Sequence, residues 1–181
     1  MSLRRIEVAT LPISVAEARA NGRIDADTDD SLVEIHIRAA TAHAERLCGC
    51  AFSPQVWELV LDSFPSKEIS LIMGPVSEVV SIKAIDLAGA EQTVDAADYV
   101  VDTASRVGWV VPVASWPATM ETINAVVVRF ITGTIEPDAK QAILLLTEHY
   151  YENRADGSEA SVTSIPFGVR ELLSLHRRWF I

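Results

Sequence analysis

The chain has 181 residues, 49% of them apolar and 22% charged, a balance that excludes a disordered chain and can fill a core without disulfides or metals. With 15 basic against 25 acidic residues the net charge is -10, which excludes tight nucleic-acid binding outside a local basic patch. The opening residues lack the apolar stretch and cleavage site of a secretory leader, and apolar runs such as Ala125 to Val128 and Ala142 to Leu146 are too short for a bilayer.

One domain, 1-181, divided into helix, strand and helix thirds is expected from the length and patterning. Ser14-Val-Ala-Glu17 forms a capping box, so a short helix should run to about Ala20 and stop at Asn21-Gly22. A longer helix should open at Asp29 or Asp30 and end near Cys48-Gly49. Glu34, Arg38, Thr41 and Glu45 repeat at helical spacing and read as one polar stripe. Leu32, Ala39 and Leu47 then fall on the opposite, packed side. Cys48 and Cys50 lack the second pair that a zinc site would need, so they read as incidental thiols of a reduced, cytoplasmic protein.

From residue 53 to 133 the pattern changes to strands: Val56–Leu61, Ile69–Ile72, Val79–Ile85, Tyr99–Asp102, Gly108–Val111 and Ala125–Ile131, with a turn at Asp86 to Gly89. Short connections without crossover helices predict a mainly antiparallel meander. Helix returns after Glu136-Pro137 and should reach about Arg154, with Ala139, Ile143, Leu146 and Tyr150 on its core side and Gln141, Glu148 and Glu152 on a solvated side. Residues 155 to 164 read as a surface loop. A last helix from Pro166 carries Leu172, Leu173 and Leu175, and ends in His176-Arg177-Arg178, where positive charge complements the helix dipole. The expected fold class is therefore α+β: four helices, from 11-50 and 136-178, around an inserted β region at 53-133.

Glu148, His149 and Glu152 invite comparison with metal-binding helices, and a metal-dependent hydrolase is the reading they would support. The order is His-x-x-Glu without a second copy, so it does not match the paired motif of a two-iron bundle, and His-Glu-x-x-His is absent. His36 and His43 share a helix face, but seven residues put them roughly 10 Å apart, too far for one ion. No nucleophile elbow or phosphate-cradling glycine loop occurs. The residues thus select no catalytic, metal or cofactor site. Arg170, Arg177 and Arg178 form a thin basic group suited to an acidic partner, and Trp179, Phe180 and Ile181 are large apolar side chains that pack back or dock onto something.

Taken together, Pro12-Ile-Ser-Val-Ala-Glu-Ala18, Asp29-Asp-Ser-Leu32, Cys48-Gly49, Gln55-Val-Trp-Glu-Leu-Val-Leu-Asp62, Pro75-Val-Ser-Glu-Val-Val-Ser-Ile82, Tyr99-Val-Val-Asp102, Trp116-Pro117, Lys140-Gln-Ala-Ile-Leu-Leu-Leu146, His149-Tyr-Tyr-Glu-Asn-Arg154 and Pro166-Phe-Gly-Val-Arg-Glu-Leu-Leu173 resemble, in order, the head–tail connector (adaptor) proteins of tailed bacteriophages and prophages. The resemblance runs from about Leu11 to Arg178; Ala20-Asn21-Gly22 departs from it, since relatives often continue the first helix there. It implies a non-enzymatic adaptor without cofactor, assembled into a ring, usually twelvefold, between the portal and the next neck or tail protein. DNA would only pass through, the assembly site would be the host cytoplasm, and the final location the virion neck. Arg170, Arg177, Arg178, Trp179, Phe180 and Ile181 are then candidate portal or partner contacts. Another neck or tail-completion protein is the alternative within the same setting.

Overall fold

In the computed structural model, which describes residues 1–7, 10–25, 29–153 and 166–177, the polypeptide forms two compact units: residues 1–10 with 53–134, and residues 11–52 with 135–181. The described residues contain four α-helices and eight strands, paired only antiparallel, so the class is α+β.

The β unit is built on two sheets. Strands β1 (Ser2–Arg5), β2 (Gln55–Leu61), β4 (Val76–Ile85), β5 (Glu91–Thr93) and β8 (Val126–Thr132) form one sheet in the order β1-β2-β8-β4-β5. Strands β3 (Ile69–Leu71), β6 (Tyr99–Asp102) and β7 (Gly108–Pro112) form the other in the order β3-β7-β6. The antiparallel expectation holds, but a simple meander does not: β8, last in sequence, lies between β2 and β4. Its residues explain that central place, because Val126, Val128, Phe130 and Thr132 alternate inward and are all buried. Leu59, Val76 and Ile82 of the first sheet share a core with Ile69, Leu71 and Val110 of the second. Each such side chain withdrawn from water contributes about 1.5–3 kcal/mol. After β8 the chain turns at Gly133, where φ is 106° and a Cβ would sit 1.8 Å from the Ser53 carbonyl oxygen. Only glycine fits that approach.

In the helical unit, α1 (Val15–Gly22) carries the expected capping box at Ser14 and Glu17, and ends with Arg23 in the left-handed region. Helix α2 (Asp30–Cys48) is capped by Asp29, whose side chain accepts from the Ser31 N–H, and stops at Gly49 with φ 68°. Its buried stripe runs Val33, Ile37, Ala40, Thr41, Ala44, Glu45 and Cys48. This corrects the expected polar stripe. Thr41 Oγ1 donates to the Ile37 carbonyl at 2.8 Å, and Glu45 Oε1 accepts from the Phe52 N–H at 2.9 Å, so both polar groups are satisfied inside. Ala39, expected to pack, is exposed.

Helices α3 (Pro137–Glu152) and α4 (Phe167–Ser174) complete the unit. Ala139, Ile143 and Leu146 lie in its core, as the spacing predicts, and Tyr150 packs at the margin. Val169 and Leu173 are the core side chains of α4, while Leu175 is exposed. Glu17 Oε1 accepts from Lys140 Nζ at 2.5 Å and so ties α1 to α3. The loop expected at residues 155 to 164 lies outside the described residues.

Candidate functional site

Helix α4 presents two faces with different work. Val169 and Leu173 are buried, whereas Phe167 is 77% exposed and Arg170 faces outward. The C-terminal end of the helix is held by the turn after α2. Cys48 Sγ donates to the Leu173 carbonyl at 3.5 Å, and Cys50 Sγ to the His176 carbonyl at 4.0 Å. The His176 Nε2 lies 2.9 Å from Asp138 Oδ1 at the start of α3, and the Phe52 ring meets the imidazole edge-on at 5.6 Å. Burial pushes the Asp138 carboxyl up, but the His176 bond and the Ala139 N–H outweigh it and hold the group below the usual carboxylate range.

Between the end of α2 and α4 lies a cavity of about 240 Å³ lined by Leu47, Cys48, Arg170, Leu173, Ser174 and Arg177. Arg170 and Arg177 are thereby brought to one groove with an apolar floor, a combination suited to a carboxylate on an aliphatic stem. The basic group itself was legible in the sequence; Leu47 and Cys48, from a distant helix, gave no sign of the groove. Arg178, Trp179, Phe180 and Ile181 lie outside the described residues. The hydrogen bond with Cys50 and burial together push the Cys48 thiol far up, which leaves it a poor nucleophile.

The residues of the metal reading do not converge. Glu148 Oε2 accepts from Asn21 Nδ2 at 3.2 Å, His149 Nδ1 lies 3.2 Å from Asn153 Nδ2, and Glu152 is exposed. Among the described residues no three His, Cys, Asp or Glu side chains form a group able to hold a metal ion. The two tyrosines between them have a different task. Tyr151 meets His36 edge-on at 6.1 Å, and the Tyr150 hydroxyl bonds His43 Nδ1 while the rings stack at 6.3 Å. What resembles a ligand helix is thus half of a helix–helix contact.

In the β unit a charge ladder that sequence reasoning missed crosses the larger sheet. Arg4, Glu58 and Arg129 stand side by side on β1, β2 and β8. Glu58 Oε2 accepts from Arg4 Nε at 2.8 Å and Nη2 at 2.5 Å; Oε1 accepts from Arg129 Nε at 3.1 Å and Nη2 at 2.6 Å. Burial raises the carboxyl, but the two guanidiniums outweigh it and keep the group below its ordinary value. The only sign in the sequence was an acidic residue amid the apolar Val56–Leu61 run.

The described residues define an α+β protein with an open groove between α2 and α4 and open sheet edges in its β unit. The head completion protein family matches residues 12–179, and the chain belongs to that family. Its structure is similar to a chain in the neck of the empty GTA particle computed with C6 symmetry, with a TM-score of 0.82 and 26% identity over 100% of this chain and 97% of that one. A chain in the virion of the native gene transfer agent (GTA) particle is similar at TM-score 0.84 and 25% identity, over 100% and 97% of the two chains. A chain in the neck of the native GTA particle computed with C12 symmetry is similar at TM-score 0.78 and 26% identity, with the same coverage. No curated protein matches the chain.

Proposed function

We propose that this chain is a structural, non-enzymatic head–tail adaptor in the neck of a phage-like particle. The observation that carries the reading is the likeness along the whole of both molecules: a neck chain of the GTA particle matches 100% of this chain over 97% of its own length. The family match over residues 12–179 supports the same role on the head side of the neck. The hydrolase reading loses its support, because Glu148 and His149 bond separate partners and Glu152 is exposed.

Copies of the chain form a ring through which DNA passes, with the head portal on one side and the next neck or tail protein on the other. The C12 and C6 symmetries of the similar necks support a ring, and the former supports twelve copies. A net charge of -10 suits a wall that DNA must slide past without adhering. Within each copy the helical unit contributes the ring body. The groove of Arg170 and Arg177 contacts the portal, and Arg178, Trp179, Phe180 and Ile181 are further contacts to the same partner. Assembly takes place in the host cytoplasm; among the described residues no helix is long and apolar enough to cross a membrane.

Particles produced without this chain test the role directly. Electron microscopy should show DNA-containing heads separate from tails, and joining should return when the chain is supplied. Normal joining without it would overturn the adaptor reading. Removal of residues 177–181 should lower joining; unchanged joining would remove the C-terminal segment from the portal contact.

A further inference from the structure

Among the described residues the larger sheet ends in two open edges, β1 and β5, and their charges are opposite. We infer that the β1 edge of one copy docks on the β5 edge of the next, with Arg5 entering an acidic cavity beside β5. The inference rests on the ring reading above and adds, on the β unit, a contact between neighbouring copies beside the helical ring body.

Backbone geometry leaves both edges ready to pair. Ile6 N–H donates to the Val56 carbonyl at 2.9 Å. By the alternation of an antiparallel ladder, the peptide groups of Leu3 and Arg5 therefore turn away from β2. On the other edge, Val94 N–H donates to the Ile82 carbonyl at 2.8 Å and Asp86 N–H to the Ala90 carbonyl at 2.9 Å. The same alternation turns the peptide groups of Glu91 and Thr93 outward. All three residues of β5 are exposed, as are Arg4 and Arg5 on β1. Every pair in the sheet is antiparallel, so β1 and β5, at positions one and five, run in the same direction. A copy set head to tail would add its β1 parallel to β5.

Side chains fit the same arrangement. Along the register, Arg5 lies opposite Trp57 and Trp57 opposite Phe130, which places Arg5 on the core-facing side of the sheet, beyond its edge. Gln92, opposite Ala84, falls on that same side. There a cavity of about 260 Å³ is lined by Asp86, Gln92, Val94, Asp95, Asp98 and Pro117. Val94 and Pro117 suit the methylene stem of an arginine, and the carboxylates suit its guanidinium. Hydrogen bonds from the Ala90 and Ala88 N–H groups hold the Asp86 carboxyl low, so it stays charged.

Charge also selects the pairing. Two β1 edges would set Arg5 against Arg5, and two β5 edges would set carboxylates against carboxylates; only β1 against β5 attracts. The result is a heterologous contact, the kind that closes a ring rather than a two-fold dimer. Because both complementary edges belong to this chain, the occupant is a second copy.

Charge reversal on assembled particles tests the contact. The R5E and D98R variants should each lower the amount of chain retained in the neck at least about tenfold, while the R5E/D98R double variant recovers to within roughly twofold of wild type. Thermal melts of the unassembled variants check that each folds. An R5C/Q92C variant should form copy-to-copy disulfides in isolated necks under mild oxidation, since Cys48 and Cys50 are buried. Wild-type retention of both single variants, or no cross-linking in R5C/Q92C necks, would overturn the edge contact while leaving the adaptor role intact. Absence of the wild-type chain from the neck would instead overturn the adaptor role.

Discussion

The carboxylate of Glu58 offers a sharp test of how the β unit is held. Its side chain is 6% exposed, whereas Arg4 and Arg129 are 66% and 47% exposed. The two kinds of deletion should therefore differ. Removing Arg4 or Arg129 alone leaves the carboxylate with one two-pronged partner and should cost about 1 kcal/mol. Removing both strands a buried charge and should cost about 3–5 kcal/mol, more than the sum of the single changes by about 1–3 kcal/mol. The E58A variant, which leaves two arginines able to regain water, should fall between, at about 2–3 kcal/mol. Denaturant melts followed by tryptophan fluorescence read this, because Trp57, Trp109 and Trp116 all belong to the β unit. Acid supplies a second reading. The wild-type carboxyl is held below 4.5, so its stabilisation is present above that pH and is lost as pH falls through the lowered value. With both arginines gone only burial acts and the carboxyl rises, so acidification should help the double variant relative to wild type. Additive single costs together with a parallel pH response would refute the shared-carboxylate argument.

In the helical unit, L146A should cost about 2–5 kcal/mol by far-ultraviolet circular dichroism melts, because a fully buried side chain leaves a cavity in a packed core. The E17Q variant removes a carboxylate held at about 2, chiefly by the Lys140 hydrogen bond and then by the Ser14 N–H. Glu17 and Lys140 are 43% and 37% exposed, so solvent screening limits the loss at neutral pH to about 0.5–1 kcal/mol. That advantage over E17Q should fade as pH drops from 4.5 toward 2, and a constant difference across the window would count against it. Burial, and then Arg46, push the His43 imidazole below 6.5. The unfolded chain thus binds more protons just below that pH, and stability should fall there as acid is added. H43Q, with Tyr150 and Arg46 retained, should flatten that part of the stability curve; an unchanged slope would assign it to another group.

Much of the chain was legible where local chemistry decides. Asp29 and Gly49 bound α2 through a side-chain cap and a left-handed residue, signals carried within a few positions. Strand β6 was expected at Tyr99–Asp102 and is found there. The strands missed were β1 and β5, Ser-Leu-Arg-Arg and Glu-Gln-Thr, which have no apolar alternation because they are edges with little to bury. Thr41 and Glu45 were misplaced for a related reason: their burial depends on the Ile37 carbonyl and the Phe52 N–H, which hydropathy does not count. The Arg4–Glu58–Arg129 ladder joins residues 54 and 71 apart, beyond any local pattern.

The stretch from Glu148 to Asn153 shows why residue types alone do not make a site. A metal site needs its donors to converge and to be held in place by a second ring of partners. Here the donors diverge, Glu148 to Asn21 on α1 and His149 to Asn153 on its own helix. Convergence occurs instead between helices, where Tyr150 and Tyr151 meet His43 and His36. Burial raises the Tyr150 phenol and lowers the His43 imidazole, so at neutral pH the hydrogen bond joins two uncharged groups. The bond between them requires no charge. Polar aromatic pairs of this kind fix the register of two helices that small residues such as Ala40, Ala44 and Ala142 would otherwise let slide. For a protein whose work is to hold its place among other chains, that is the more useful chemistry.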